Sequence, residues 1–397
     1  MSIVDQIKNK HVAEKIFFYN IKIDNYGNYI ATGYSENNGN NNAIIVKFDN
    51  KFNILNSKIY NIDNYSNNVF YNVTVDNGNY VAVGCATLKD QEYNNAFIVK
   101  FDQEFNILNS KIYNHDDDSA FFSIAVDSHG DYIAVGYIEL KGKMRDDALI
   151  VKFDNELNVL NSKIYSGNRC NYFYDITVDQ LGNYVAVGYS LLESHDYYNA
   201  MIVKFDNNLN KLYDKIYGGT RYDEFSSIAI DNDGNYVAVG YTSSEKSGNT
   251  NALIMKFDQY LNIMDIKTYG GTGIEYFISV TVDNDGNYVA VGYTDSKNQS
   301  GNDSLIVKFD DNLNILAAET YNDGNDSFFS GIAVDSNDYI IIKNNENKNK
   351  NDTVILKINS LFSEPFTLDS EYALADGKLT LVKDNLTLSS VKLTATI

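Results

Sequence analysis

The 397-residue sequence contains no tryptophan, one proline, two cysteines and four histidines. Cys85 and Cys170 lie far apart in the chain, so a disulfide framework is not expected. No two of the histidines have the spacing of zinc ligands. The histidines are His11, His115, His129 and His195. The fold must therefore be stabilised by its own packing and hydrogen bonds.

Sequence motifs of common enzyme classes are also absent. The chain has no Gly-x-Ser-x-Gly, phosphate-binding loop or dinucleotide fingerprint, and no pair of carboxylates is distinguished as acid and base. We therefore expect no enzyme, although a site built from scattered loop residues remains an alternative. No apolar run is long enough to span a membrane, and the N-terminus does not resemble a signal peptide. Localisation stays open.

The chain is strongly acidic. It has 53 Asp and Glu against 32 Lys and Arg, a formal net charge of −21 at pH 7. Proteins that bind nucleic acid or anionic lipid surfaces neutralise phosphates with basic residues, so both partner classes are disfavoured. Cations and basic partners are favoured instead.

One sequence block recurs seven times with a period of 51 to 52 residues. Each copy contains an apolar run that ends in an aspartate, which we call the anchor, with a phenylalanine six residues earlier. The anchors are Asp24, Asp76, Asp127, Asp179, Asp231, Asp283 and Asp335. A fixed period of this length is typical of repeat proteins such as solenoids and propellers.

The content of one repeat predicts four short strands. In residues 225–269, three apolar, β-branched runs and one more polar run are separated by Asp, Asn and Gly turn signals. Buried inner strands with a wetter fourth strand are typical of a propeller blade. We predict an all-β, seven-bladed β-propeller of four-stranded antiparallel blades, with a right-handed β-helix as the main structural alternative.

The repeat resembles the β-propeller repeats of bacterial surface and secreted proteins (SBBP-like repeats). The residues that carry the resemblance are 227–231 (SIAID), 233–241 (DGNYVAVGY), 251–258 (NALIMKFD) and the Gly-Gly-Thr segments 218–220 and 270–272. It covers about residues 16–359 and implies the fold, with a surface or particle location as an expectation. It transfers no catalytic residue. The Trp-Asp signature of WD repeats is absent.

A lysine at the end of the third strand recurs in every repeat, as in Lys204 and Lys256. Anchor and lysine end strands one and three on the same face, so we expect the lysine to approach the anchor of its own or the neighbouring blade. This pattern predicts a pairing that orders the turns, with an ion-binding ring as the alternative. Calcium is a weak further alternative, because Asp231, Asp233, Asp283 and Asp285 resemble the start of a calcium loop that lacks its downstream acidic ligand.

Two sets of segments vary between the repeats: the loops between strands two and three, and the links between blades. Alternating strand direction places both sets on one face, the variable face, opposite the fixed face that carries the conserved turns. A binding site is expected on the variable face or at its central funnel. The candidate ligand-binding residues are Arg169, Tyr172, Arg221, Tyr222, Asp223, Tyr276 and Asp117. Ordinary solvated loop residues are the alternative reading.

The two ends depart from the repeat. We divide the chain into an N-terminal segment (1–15, with a short helix in it), a propeller (16–368) and a C-terminal β-strand tail (369–397). The terminal segments are candidates for self-assembly or for packing on their own propeller. The predicted function is a non-enzymatic recognition or scaffold module that binds a protein partner through the variable face, with a carbohydrate-binding propeller as the alternative. No cofactor is expected.

Overall fold

A computed structural model describes the chain from residue 15 to residue 359, apart from short segments, and four stretches beyond it. The segments outside the description within 15–359 are 63–64, 90–92, 114–117, 141, 143–144, 168, 193–195, 244–248, 296–300, 322–325 and 347–351. The four later stretches are 373–376, 380–381, 387–390 and 395–396. Within this part of the chain all regular structure is β, and no helix suitable for crossing a membrane occurs.

Seven antiparallel sheets follow one another along the chain, each built from consecutive strands. The strands of blades 1–4 are β1 Lys15–Ile23, β2 Tyr29–Asn37, β3 Asn40–Phe48, β4 Ile54–Tyr60, β5 Tyr65–Asp76, β6 Asn79–Leu88, β7 Asn94–Phe101, β8 Ile107–Tyr113, β9 Ser119–Val126, β10 Tyr132–Glu139, β11 Asp146–Phe153, β12 Val159–Ser166, β13 Asn171–Val178, β14 Tyr184–Leu191, β15 Tyr198–Phe205 and β16 Lys211–Gly218. The strands of blades 5–7 are β17 Asp223–Ile230, β18 Tyr236–Thr242, β19 Asn251–Phe257, β20 Ile263–Gly270, β21 Glu275–Val282, β22 Tyr288–Thr294, β23 Asp303–Phe309, β24 Ile315–Tyr321, β25 Asp326–Asp335, β26 Asp338–Glu346 and β27 Asp352–Asn359. First strands of neighbouring blades contact each other and β1 contacts β25, so the blades close into a ring. The predicted seven-bladed propeller is confirmed.

The hydrophobic core is divided into layers between adjacent blades. Between blades 4 and 5, for example, Val187 and Ile202 pack against Phe225, Leu253 and Met255, all fully buried. Both faces of the second and third strands are buried in this way, which explains why these strands read as continuous apolar runs. The fourth strands are more exposed than the inner ones, as the sequence predicted, but the expected alternation is seen only in part: β8, β16 and β20 run from exposed residues at their start to buried residues near their end.

A β-bulge interrupts the first strand of every blade directly after the repeated phenylalanine. In blade 5 the register shifts between Phe225 and Ser227, which leaves Ser226 as the additional residue. Opposite the bulge lies Gly240, where a Cβ atom would approach the Glu224 carbonyl oxygen to 1.9 Å. Glycine is therefore required at this position by close backbone approach, and the same holds in blades 1–6.

Neighbouring blades are joined by a repeated contact between tyrosine, aspartate and lysine. The tyrosine that begins the second strand donates a hydrogen bond to the anchor aspartate of the preceding blade. Tyr236 donates to Asp179 at 2.9 Å, while Lys204 donates to the Tyr236 hydroxyl at 2.8 Å and pairs with Asp179 at 2.9 Å. The other tyrosine–anchor pairs are Tyr80–Asp24, Tyr132–Asp76, Tyr184–Asp127, Tyr288–Asp231, Tyr339–Asp283 and Tyr29–Asp335.

The expected pairing of lysine with the anchor of its own blade occurs in six blades. Blade 2 differs, because Lys100 donates to Asn155 of the next blade. The ring is closed by the same chemistry: Tyr29 donates to Asp335 at 2.6 Å, joining blade 1 to blade 7. The closure relies on side chains and on the packing of β1 against blade 7.

Four short strands of the C-terminal segment pair antiparallel with outer strands of the propeller. They are β28 Ala373–Asp376 on β20, β29 Thr380–Leu381 on β16, β30 Thr387–Ser390 on β12 and β31 Ala395–Thr396 on β8. The segment therefore visits blades 5, 4, 3 and 2 in turn, against the order of the blades. Residues 360–368, which we included in the propeller, and residues 1–14, for which we predicted a short helix, lie outside the described residues, whereas Lys15 is the first residue of β1.

We expect Tyr236→Phe to lower the free energy of unfolding by about 1–3 kcal/mol, because it removes one hydrogen bond to Asp179 and the acceptor of Lys204 at a buried interface. The measurement is urea unfolding followed by circular dichroism. Tyr260→Phe is the control, because the Tyr260 side chain is 51% exposed. Equal stability of both variants and the parent chain would contradict a stabilising role for the contact between blades.

Candidate functional site

The centre of the ring is a channel of about 680 Å³, lined by the first strands of the blades. The bulge determines its surface. In a regular strand two successive side chains point to opposite faces, but in blades 1–6 both the residue after the phenylalanine and the next one line the channel. Tyr174 and Asp175 of blade 4 both line it in this way, as do Ser226 and Ser227 of blade 5.

Aromatic rings cover one side of the channel. The bulge residues of blades 1–4 are Tyr19, Tyr71, Phe122 and Tyr174, and successive ring centroids lie 5.0, 5.2 and 5.5 Å apart. We call these four residues the aromatic arc. The corresponding residues of blades 5–7 are Ser226, Ile278 and Ser330. The channel is therefore asymmetric, with an apolar, polarisable side and a smaller, more polar side.

A chain of hydrogen bonds crosses four blades below the aromatic arc. Asn72 Nδ2 donates to Ser123 Oγ at 3.1 Å, and Ser123 Oγ donates to Asp175 Oδ1 at 2.7 Å. Ser227 Oγ donates to Asp175 Oδ2 at 2.8 Å from the other side. Two further donors to the carboxylate are the backbone N–H groups of Ile176 and Ile228. Asp175 thus accepts four hydrogen bonds, and these bonds link blades 3, 4 and 5 in the channel wall.

The direction of this chain determines which atom of Asn72 is left over. Ser123 uses its one proton to donate to Asp175, so its oxygen accepts from the amide nitrogen of Asn72. The Asn72 oxygen then has no hydrogen-bond partner among the described residues. The oxygen of Asn20 is in the same situation one blade away. Both residues line the channel, but the two oxygen atoms are buried in its wall with almost no accessible surface.

Glu224 is a carboxyl group at a position that is apolar in the other blades. The equivalent residues, each directly before the repeated phenylalanine, are Phe17, Val69, Ala120, Tyr172, Tyr276 and Phe328. Glu224 is 8% exposed and lines the channel, and its Oε1 accepts a hydrogen bond from the Tyr276 hydroxyl at 2.5 Å. Burial raises the pKa of the Glu224 carboxyl to about 7, and the bond from Tyr276 opposes this only in part.

Tyrosines surround Glu224 in place of a cation. The carboxyl interacts electrostatically with Tyr174, Tyr189, Tyr241, Tyr276 and Tyr293, and the pKa of each of these phenols is raised, mainly by burial. Among the described residues, no lysine or arginine contributes to the pKa of Glu224. A buried carboxyl without a cationic partner costs free energy, and such groups mark candidate functional sites.

Two of the sequence-predicted residues belong to a continuous stack of tyrosines on the variable face. The stack runs from the channel wall outwards through Tyr172, Tyr189, Tyr198, Tyr222 and Tyr197, with neighbouring centroids 4.5–5.0 Å apart. We call these five residues the tyrosine ladder. Its outer members, Tyr222 and Tyr197, are 38% and 37% exposed. The inner end meets the aromatic arc at Tyr174, whose centroid lies 6.1 Å from that of Tyr172.

The other predicted residues lie in different settings. Arg169 pairs with Asp196 at 3.7 Å on the surface, and Arg221 is exposed beside the tyrosine ladder. Asp223 is fully buried and accepts hydrogen bonds from Gly219 N and Thr242 Oγ1, so it holds the link between blades 4 and 5. Asp117 lies outside the described residues.

Tyr276 lines the channel next to Glu224 and is separate from the tyrosine ladder. Sequence analysis selected Tyr276 but missed Glu224, Asn72 and the aromatic arc. For Glu224 a usable signal was present: among the seven copies it is the single charged residue at the position before the phenylalanine. The significance of Asn72 depends on the hydrogen-bond chain, which the sequence does not reveal.

Two of the four aspartates considered as calcium ligands already have hydrogen-bond and ion-pair partners within the chain. Asp231 accepts hydrogen bonds from the backbone of Asp233 and Asn235, from the Asn235 side chain and from Tyr288, and it pairs with Lys256 at 3.3 Å. Asp283 has the corresponding partners in the next blade. The side chains of Asp233 and Asp285 are exposed on the fixed face. A cation at either anchor would have to displace a lysine ammonium group.

No protein-family model and no curated protein matches the sequence. Solved structures do resemble the fold. The crystal structure of polysaccharide lyase Uly1 aligns with a TM-score of 0.51 at 8% identity, covering 88% of this chain and 91% of that chain. A complex of KlAtg21 with the coiled-coil of AgAtg16 aligns with a TM-score of 0.49 at 12% identity, covering 87% and 99%. The likeness to Uly1 concerns the fold alone.

The raised pKa of Glu224 predicts a pH-dependent stability. The native carboxyl keeps its proton up to about pH 7, whereas the unfolded one releases it near 4.5, its ordinary pKa. The unfolded state therefore binds fewer protons between these values, and this group lowers the free energy of unfolding as the pH rises, by on the order of 3 kcal/mol in total.

We expect Glu224→Gln to remove this loss of unfolding free energy at higher pH. Urea unfolding should show the variant gaining stability relative to the parent chain between pH 5 and pH 8, with most of the gain above pH 6. Glu319→Gln is the matched control, because Glu319 also accepts a hydrogen bond from a tyrosine, Tyr321, but lies on the outer strand β24. A stability difference for Glu224→Gln that is the same at both pH values would contradict the prediction.

Proposed function

We propose that this chain is a non-enzymatic recognition module that binds a protein partner on its variable face, around the mouth of the channel. The observation that carries the proposal is the tyrosine ladder, which leads from the channel wall to the exposed rings of Tyr222 and Tyr197. Tyrosine and arginine dominate the energetics of protein interfaces because they bury a large rigid surface and keep a polar tip. Arg169 and Arg221 lie beside this ladder. The acidic chain favours a basic partner.

The location we propose is a cell or particle surface, where the propeller acts as an adhesion or scaffold module. The support for this is the resemblance of the repeat to those of bacterial surface and secreted proteins. A ring whose repeats differ in the loops of one face and agree in the turns of the other suits such a role, since the loops of the variable face can differ without altering the contacts between blades.

Two features of the channel favour recognition over catalysis. Many acid–base enzymes place a separate acid and base beside the substrate. Glu224 titrates near neutral pH, but Asp175 already accepts four hydrogen bonds from its own chain. Among the carboxyl groups of the described channel wall, Glu224 is thus the one with capacity left for a ligand.

Carbohydrate binding is the second candidate function. The aromatic arc favours it, because the apolar faces of sugar rings stack on aromatic side chains. The channel volume of about 680 Å³ is within the range of small-ligand sites. This candidate places the ligand inside the channel, whereas the protein partner would cover the rim.

The two candidates are separated by selecting random displayed peptides on the parent chain and by probing a defined glycan array in parallel. We expect selected peptides to bind by calorimetry, and to lose at least tenfold in affinity on Tyr222→Ala or Tyr197→Ala. Tyr260→Ala is the matched control: Tyr213 and Tyr260 form an exposed pair with an interplanar angle of 85°, the same as Tyr197 and Tyr222, but on the fixed face. Peptides that bind all variants equally, or binding to glycans alone, would overturn the protein-partner proposal.

The terminal segments supply a separate prediction about self-assembly. Because the tail strands pair with blades 2–5 of the same chain, we propose that the tail packs in cis. Light scattering should then give a monomer near 44.7 kDa for the full chain and a monomer for a version ending at Leu368. A large assembly that dissociates on truncation would instead make the tail an assembly strand.

A further inference from the structure

Glu224 is a channel carboxyl group with acceptor capacity to spare, because it receives a single hydrogen bond among the described residues, from Tyr276. Asp175, another carboxyl group of the described wall, already accepts four. The side-chain oxygens of Asn20 and Asn72 also lack partners among the described residues, but both atoms have almost no accessible surface.

Five of the described donors of the channel wall are directed into the protein instead. Ser123 and Ser227 donate to Asp175, Ser226 donates to the Phe277 carbonyl at 2.6 Å, and Ser330 donates to the Phe18 carbonyl at 3.0 Å. Tyr276 donates to Glu224. A ligand that accepts hydrogen bonds finds these five groups already used, while a ligand that donates finds spare acceptor positions on the Glu224 carboxyl group.

The aromatic arc adds to this preference. The faces of aromatic rings carry negative partial charge, so Tyr19, Tyr71, Phe122 and Tyr174 attract a cation held among them. The basic residue that lines the channel, Lys22, is exposed near the fixed-face end, two residues before the anchor Asp24. The variable-face end, where Glu224 lies, has no such competing charge among its described lining residues.

We propose that the channel is a socket for one cationic side chain, a guanidinium or primary ammonium group, which enters from the variable face and pairs with Glu224 against the aromatic arc. This inference rests on the proposed function in one respect, namely that the partner presents the group.

The socket is tested without any partner, using n-butylguanidinium as the probe and n-butylurea as its neutral isostere, in ligand-observed NMR titrations at pH 8 on the full chain. We expect the guanidinium compound to bind at least tenfold more tightly than the urea. Glu224→Gln should reduce its affinity at least tenfold, whereas Glu319→Gln, the matched glutamate–tyrosine pair on β24, should leave it unchanged. n-Butylammonium tests the second cation, and butyrate should not bind.

The socket is overturned if neither n-butylguanidinium nor n-butylammonium binds detectably at 100 mM, or if neither binds more tightly than n-butylurea. The ligand comparison on the parent chain decides this even if a variant fails to fold. Tyr222→Ala should leave probe binding unchanged, because Tyr222 lies on the rim. The proposed function is contradicted if Tyr222→Ala does not weaken peptide binding. The socket is contradicted if the parent chain does not prefer the cationic probes or if Glu224→Gln does not weaken their binding. The two failures are therefore distinguishable.

Discussion

The hydrogen bond from a tyrosine of one blade to the anchor aspartate of the preceding blade is the contact on which the ring depends. It is made at all seven junctions, including the closure between Tyr29 and Asp335. In six blades a lysine neutralises the anchor, which lets the carboxylate lie among apolar layers. Because the contact repeats, every blade is held at the same relation to its neighbour, and the inner strands converge on one axis.

This convergence creates the channel, and the bulge of each inner strand decides what faces it. The phenylalanine, anchor, tyrosine and lysine maintain the ring and are therefore repeated. The residues around the bulge make no contact of this kind between blades, and they differ from blade to blade. The bulge residues are aromatic in blades 1–4 and smaller in blades 5–7. Asp175 and Glu224 lie beside the bulges of two neighbouring blades. In each first strand, the residues that hold the ring together thus lie next to the residues that form the channel surface.

The fold was predictable because its determinants repeat. The spacing of the anchors, the turn signals and the buried inner runs together predicted seven blades, and the anchor–lysine pairing followed from strand geometry. The channel was not predictable in the same way. Strict alternation would place Tyr174 and Asp175 on opposite sides of the strand, and the bulge that brings both inward is not visible in the sequence. Glu224 stands out when the copies are compared, but its raised pKa depends on burial, which arises only when strands far apart in the sequence meet in three dimensions.

Sharing each anchor between two blades has a consequence for how the molecule comes apart. An isolated blade would expose an apolar face and leave its tyrosine without an acceptor, so a 52-residue unit has little reason to persist alone. Loss of one blade also removes the apolar layer and the tyrosine–anchor hydrogen bond that each of its two neighbours shares with it. The ring should therefore resist proteases as one cooperative body, cut first at the loops of the variable face, and nicked chains should stay assembled until a whole junction is broken.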